Sequence, residues 1–233
     1  MLPRLPHEPV FPDVQLALEN PNGLLAVGGD LSVERLLAAY AGGIFPWFAH
    51  SGPILWWSPA PRMVLYPPRL KVSRSLAKTL RNRAYQIQVD SAFERVITAC
   101  ASAQDRSENT WISPEMIEAY CRLHRLGHAH SFETWIDNQL VGGLYGVAIG
   151  TMFYGESMFS YCNDASKLAL VHMVRHFDAL GCVMIDCQMH TPHLVRLGAE
   201  WVSRELFLAT LKEQTSRSQP PTMWTYRYKN ESP

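Results

Sequence analysis

Apolar and polar positions alternate strictly through Tyr85-Gln86-Ile87-Gln88-Val89. A period of two predicts a strand with one buried face. Two longer strand patterns, AHSFETWI at 129–136 and QLVGGLYGVAI at 139–149, flank Asp137-Asn138. Two turn-forming residues between such runs predict an antiparallel hairpin. TMFYGE continues the meander after Gly150, and shorter apolar runs predict strands at 54–57, 63–66, 183–188 and 199–202.

Helical signals separate these strands. A helix is expected from Ser32 to Tyr40, with Ser32 as N-cap and Gly42-Gly43 as its stop. Another starts at Ser73, a third covers about 91–102, and Ser113-Pro114 opens a fourth that stops at Gly127. The longest runs from about Asp164 to Leu180, with an apolar stripe of Leu170, Met173, Val174, Phe177 and Leu180. A short helix after residue 188 and one from Ser203 complete the order, and the polar, Pro-rich residues from Ser216 read as a loosely ordered tail. Strand hairpins followed by a helix and a further strand predict a mixed α/β sheet with helices on both faces. Residues 1–61, rich in Pro, Gly and Trp, form a small N-terminal domain, SPAPR (58–62) is the hinge, and 62–233 form a larger domain.

Composition narrows the setting. The chain has 233 residues, 47% of them hydrophobic, enough for a sizeable core. No apolar run reaches the roughly 18 residues a membrane span needs. The first residues, MLPRLPHEPVF, carry prolines where a signal peptide has an apolar stretch, so a cytoplasmic protein is expected. Five cysteines, without a CxxC, suit reduced thiols rather than disulfides or zinc. The net charge is zero, yet Arg62, Arg69, Lys71, Arg74, Lys78, Arg81 and Arg83 fall in a stretch with no Asp or Glu. Such a local patch can hold phosphates although the whole chain is neutral. Arg74, Lys78 and Arg81 share one helix face.

Three elements carry candidate chemistry. In the strand Ile185-Asp186-Cys187-Gln188, alternation puts Asp186 and Gln188 on one face and Ile185 and Cys187 on the other. Glu156 follows Gly155 at the expected end of an apolar strand, where a carboxylate could meet a cation or orient an amine. Trp47, Trp56, Trp57, Trp111, Trp135, Tyr40 and Tyr120 are aromatics on which unpaired bases could stack beside the basic stretch. Other motifs fail: HMVRH (172–176) lacks the glutamate of a zinc-protease helix, and GLLAVGGDL is no phosphate loop. No metal and no cofactor are expected.

Taken together, PNGLLAVGGDLS (21–32), RLLAAYAGGIFPWF (35–48), PILWWSPAPR (53–62), TWIS (110–113), LVGGLYGVAIG (140–150), FYGESMFS (153–160), ASKLAL (165–170), IDCQ (185–188) and LGA (197–199) form a recognisable series. The chain resembles the bacterial leucyl/phenylalanyl-tRNA–protein transferases from about residue 11 to 207. The resemblance implies an acetyltransferase-like (GNAT-like) domain behind the small N-terminal one. It implies transfer of Leu or Phe, less readily Met, from leucyl-tRNA or phenylalanyl-tRNA to proteins with N-terminal Arg or Lys, marking them for degradation. A monomer is expected separately, since nothing in the sequence suggests more.

It also implies residue roles. Asp186 and Gln188 would lie beside the reacting amine and Glu156 at the acceptor site. Tyr40, Trp47, Trp111 and Tyr120 would surround the terminal adenosine and the ester. Leu144, Phe153, Met158, Leu170, Met173 and Ile185 would line the side-chain pocket. Arg62, Lys71, Arg74, Lys78, Arg81 and Arg83 would contact tRNA phosphates. Two alternatives stay open: an acyl-CoA N-acyltransferase, whose glycine-rich pyrophosphate loop has no match in SYCNDASK (160–167), and a non-catalytic RNA-binding module.

Overall fold

The computed structural model describes residues 2–49, 52–102 and 110–231. Near the N-terminus, strands β1 (Leu24–Val27), β2 (Phe45–Pro46) and β3 (Leu55–Trp57) form a small antiparallel sheet in the order β1-β3-β2. Between β1 and β2 runs helix α1 (Val33–Ala41), capped as expected by the Ser32 hydroxyl, which accepts from the Arg35 amide. Gly43 ends this segment at φ +73°, a conformation that favours glycine. A Cβ there would also lie 2.8 Å from the Phe207 ring. Two of the tryptophans are structural: Trp56 and Trp57 are buried and donate their indole N–H to the carbonyls of Gly28 and Trp47.

The larger sheet has eight strands: β4 (Arg62–Leu65), β5 (Tyr85–Val89), β6 (Ala129–Ile136), β7 (Gln139–Ile149), β8 (Met152–Ser160), β9 (Ile185–Gln188), β10 (Glu200–Val202) and β11 (Tyr228–Asn230). Their order is β10-β4-β9-β8-β7-β6-β5-β11. The β6–β7 hairpin turns at Asp137-Asn138, both with positive φ, as a tight two-residue loop requires. Every neighbouring pair is antiparallel except β8 and β9. A parallel pair needs a crossover, and α5 (Ala165–Ala179) supplies it.

Helices α2 (Arg74–Asn82) and α5 cover one face of this sheet, and α3 (Phe93–Ala101) and α4 (Pro114–Arg125) the other, where α1 also packs. The mixed sheet with helices on both faces is the fold class read from the pattern. Helix α5 is more deeply covered than its stripe suggested: Leu168, Ala169 and Val171 are buried with Leu170, Met173, Val174 and Phe177. Helices α6 (Pro192–Arg196) and α7 (Arg204–Thr215) flank β10 in sequence.

The C-terminal residues depart from expectation. They are not loose: Met223 is fully buried, and β11 pairs with β5 as an edge strand. Aromatic and histidine contacts hold them, which composition alone does not reveal. No helix among the described residues is long and apolar enough to cross a membrane.

Candidate active site

Strands β8 and β9 are paired at just two positions, Phe153–Ile185 and Tyr154–Asp186. Beyond that point they part, and a cavity of about 450 Å³ opens between them. Leu144, Phe153, Met158, Leu170, Met173 and Ile185 all line it, brought together from β7, β8, α5 and β9. Its wall is mainly apolar, and its polar groups include Glu156 and Gln188. Trp47 and Trp111 also border it; Trp47 is 38% exposed.

Glu156 does not end its strand, as expected, but sits within β8 on a bulge. Tyr145 is opposite Ser157 and Gly146 is opposite Gly155, so Glu156 is the extra residue. A bulge re-aims a side chain that regular alternation would direct elsewhere. The carboxylate accepts from Tyr40 Oη at 2.8 Å, Gln188 Nε2 at 2.7 Å and Tyr120 Oη at 3.2 Å. Tyr40 comes from α1 and Tyr120 from α4, and their hydroxyls also touch each other. Burial pushes the Glu156 carboxyl up to about 7, against the lowering effect of the hydrogen bonds from Tyr40, Gln188 and Tyr120. Burial and the Glu156 charge raise both tyrosines well above their ordinary range, so they remain protonated donors. Three oxygen-bearing groups in mutual contact need three protons for three hydrogen bonds. The two hydroxyls supply two; when Glu156 gains a proton it can donate to one tyrosine, which then donates to the other, and the ring is complete.

The expected stacking role of Tyr40 and Tyr120 is therefore corrected. Both are buried, at 1% and 0% exposure, and present hydroxyls to Glu156 rather than rings to a base. The β9 strand brings a second correction. Gln188 has φ +61°, which breaks the alternation and turns its side chain to Glu156. Asp186 is fully buried away from the cavity, and Ile185 and Cys187 face it. Asp186 accepts two hydrogen bonds from Arg62, Nε to Oδ1 at 2.9 Å and Nη2 to Oδ2 at 2.7 Å. Its Oδ1 also accepts from the Gln188 amide at 2.8 Å. Asp186 thus meets the cavity through Gln188 rather than directly.

Arg62 cannot contact tRNA phosphates as expected. It is 1% exposed, ion-paired to Asp186 and held between the rings of Phe45 and Phe207. Lys71, Arg74, Lys78 and Arg81 are exposed. Arg83 is half-buried and donates to the Asn163 carbonyl at 2.9 Å. Thr79 of the same helix donates to Asp164 at 3.1 Å, which seats α2 beside the start of α5. Cys187, Thr191 and His193, missed in the sequence, also line the cavity. The Gln188 turn and the short helix after it carry them there, and no spacing rule announces either.

Asp90, His124 and His130 form the one group of potential metal ligands among the described residues. Three of their four ring nitrogens are already engaged: His124 Nδ1 with the Ala129 carbonyl, His130 Nδ1 with Asp90 and His130 Nε2 with the Gly127 carbonyl. The arrangement suits an internal anchor better than an open ion site.

Residues 64–212 match the family model "Leucyl/phenylalanyl-tRNA protein transferase". Residues 29–60 match its N-terminal domain model. A leucyl/phenylalanyl-tRNA–protein transferase of Chromobacterium violaceum is 66% identical over 100% of both chains. Those of Aromatoleum aromaticum (54%, covering 97% of this chain and 95% of the relative) and Laribacter hongkongensis (53%, covering 99% of each) are similar throughout. Among solved structures, a GCN5-related N-acetyltransferase from Kribbella flavida aligns with 72% of this chain and 60% of its own, at 16% identity and a TM-score of 0.37.

Proposed function

As the chain belongs to the leucyl/phenylalanyl-tRNA–protein transferase family, we propose that it moves leucine or phenylalanine, and less readily methionine, from aminoacyl-tRNA to the α-amine of proteins that begin with Arg or Lys. The product carries a new apolar N-terminus that marks it for degradation. Such an enzyme works in the cytoplasm, where charged tRNA is available, and acts as a monomer. Residues 1–61 and 62–233 serve as its two domains, a division supported by sheets that share no strand.

The observation that carries the proposal is the apolar cavity with Glu156 and Gln188 in its wall. Leu144, Phe153, Met158, Leu170, Met173 and Ile185 take the donor side chain, and Trp47 and Trp111 flank the terminal adenosine. The exposed Lys71, Arg74, Lys78 and Arg81 hold phosphates of the tRNA, with Arg83 at the edge of the patch. The ester is already activated, so the chemistry asks for positioning and for a place for one proton.

An α-amine has a pKa of about 8, so part of it is neutral and nucleophilic near pH 7. As its nitrogen attacks the ester carbonyl, the carbon–nitrogen bond forms and the carbon–oxygen bond to the ribose breaks. Glu156 takes the amine's proton, completing its hydrogen-bonded ring with Tyr40 and Tyr120, and returns it to the departing ribose oxygen. Its shift to about 7 suits a group that must both accept and release a proton near neutrality. Gln188 holds the amine beside Glu156. Asp186 is a positioning residue, fixing the Gln188 backbone through its 2.8 Å bond while Arg62 fixes Asp186.

Purified protein, radiolabelled leucyl-tRNA and a peptide beginning with Arg, mixed without ATP or added metal, test the whole. Label should pass to this peptide and not to one beginning with Gly. Leucine that stays on intact tRNA would refute the transferase function.

A further inference from the structure

Helix α5 presents two faces to two different tasks. Leu170 and Met173 look into the cavity. His172 and His176, the pair in HMVRH that binds no metal in our reading of the sequence, hold the C-terminal segment. His172 Nδ1 bonds Tyr226 Oη at 2.7 Å, its Nε2 bonds Tyr85 Oη at 2.8 Å, and His176 Nε2 donates to the Met223 carbonyl at 3.1 Å. The segment then ends in β11 against β5.

At its centre is Trp224. The indole stacks on His130 with ring centres 3.5 Å apart and planes 2° from parallel. Asp90 and the Gly127 carbonyl fix that imidazole. The indole also neighbours Phe177, edge to face with ring centres 5.8 Å apart, and Phe153, tilted with ring centres 6.3 Å apart. Phe153 is a wall of the cavity. One side of its ring lies on Gly146, where even a Cβ would be 2.5 Å from Phe153 Cζ. Phe177 and Trp224 back the ring elsewhere. Any give in this wall therefore depends on how firmly Trp224 is held.

We propose that residues 223–228 are a strap that sets the depth of the donor pocket, and that Trp224 determines the choice between leucine and phenylalanine by fixing the Phe153 ring. The inference rests on the assignment of this cavity to the donor side chain. Trp224 touches no substrate; it is a positioning residue. An apolar pocket discriminates a single methylene by roughly 10–200-fold. A wall that yields by part of that size should shift selectivity by about fivefold.

The test compares kcat/KM for leucyl-tRNA and phenylalanyl-tRNA with a peptide beginning with Arg, in the intact chain and in Trp224→Leu and Trp224→Phe. Each variant is assayed well below its own Tm. The phenylalanine-to-leucine ratio should rise about fivefold in Trp224→Leu and about threefold in Trp224→Phe. Should Trp224→Leu not fold, the more conservative variant decides. A purely structural Trp224 would lower both rates together, and a ratio unchanged in the folded variants would overturn the inference alone. Absence of transfer by the unaltered protein would overturn the transferase function and this inference with it.

Discussion

Arg62 and Asp186, on neighbouring strands β4 and β9, meet as a two-pronged ion pair with both side chains shut from solvent. A guanidinium fork matches a carboxylate in a way a lysine ammonium cannot. Removing either partner leaves the other charge buried and alone, which costs about 3–5 kcal/mol. Arg62→Ala and Asp186→Asn should therefore lower Tm and transfer together. Their tRNA affinity, measured below Tm by filter binding, should stay near that of the unaltered protein. If Arg62→Ala kept its Tm and instead lost tRNA affinity in a salt-dependent way, Arg62 would be a phosphate contact after all.

Glu156 makes the rate depend on pH in a stated direction. The base must be ionised, and its carboxyl lies at about 7. Single-turnover transfer should rise as pH climbs through about 7. The Tyr40 hydrogen bond lowers the Glu156 value, so Tyr40→Phe should move that limb to higher pH. The titration of the peptide's own amine is common to both proteins and does not produce a difference between them. Superimposable profiles would remove Glu156 from the proton's path. Glu156→Gln should remove the component near 7, leaving only the amine's own titration, and slow transfer by about 10²–10⁴-fold, the usual contribution of a positioned acid or base.

Local signals explain why so much of the fold was legible and parts of the site were not. Ser32, Ser73, Ser113 and Ser203 cap their helices, each accepting from the expected amide, because capping needs only neighbouring residues. The Asp137-Asn138 turn is equally local. The six apolar pocket residues followed from resemblance, and the structure gathers them around one cavity. Alternation failed at two residues. The bulge at Glu156 and the positive φ of Gln188 each reverse the direction a period of two assigns. The bulge is set by the register of β8 against the neighbouring β7, and Gln188 pairs with Met63 of β4, far away in sequence; neither is written in the residues' own pattern. Arg62 misled for a related reason: it belongs to a run of cations, and its burial depends on Asp186, 124 residues away. The C-terminal strap looked like a tail because Pro and polar residues dominate its composition, whereas Met223, Trp224 and Tyr226 make its contacts.

That strap should be acid-labile. Burial, with a smaller effect of Arg175, lowers His172 from 6.5 to about 4. The unfolded ring binds a proton more readily than the folded one, so the stability it lends is complete above about 6.5 and drains away as pH falls towards about 4. Tm should decline across that interval, with proteolysis near residues 218–228 appearing early. In His172→Gln, Tm near neutrality should be lower and its decline with acid shallower. An equally steep decline in the variant would assign the acid sensitivity to another group.

The exposed face of α2 gives the last prediction, because it separates phosphate binding from folding. Arg74, Lys78 and Arg81 share that face and enter none of the ion pairs among the described residues. A cation that neutralises a phosphate releases condensed counterions, so log affinity falls with log salt by about 0.7–0.9 per contact. Replacing both Arg74 and Lys78 with Ala should therefore flatten that slope by roughly 1.4–1.8. The double variant should leave Tm almost unchanged, since exposed substitutions usually alter stability within about 0.5 kcal/mol. Loss of affinity should be alike for leucyl-tRNA and phenylalanyl-tRNA, because phosphate contacts hold without reading sequence or side chain. An unchanged salt slope would mean that tRNA lies on another surface, and the uncharged wall around Trp47 and Trp111 would then have to supply the affinity by stacking.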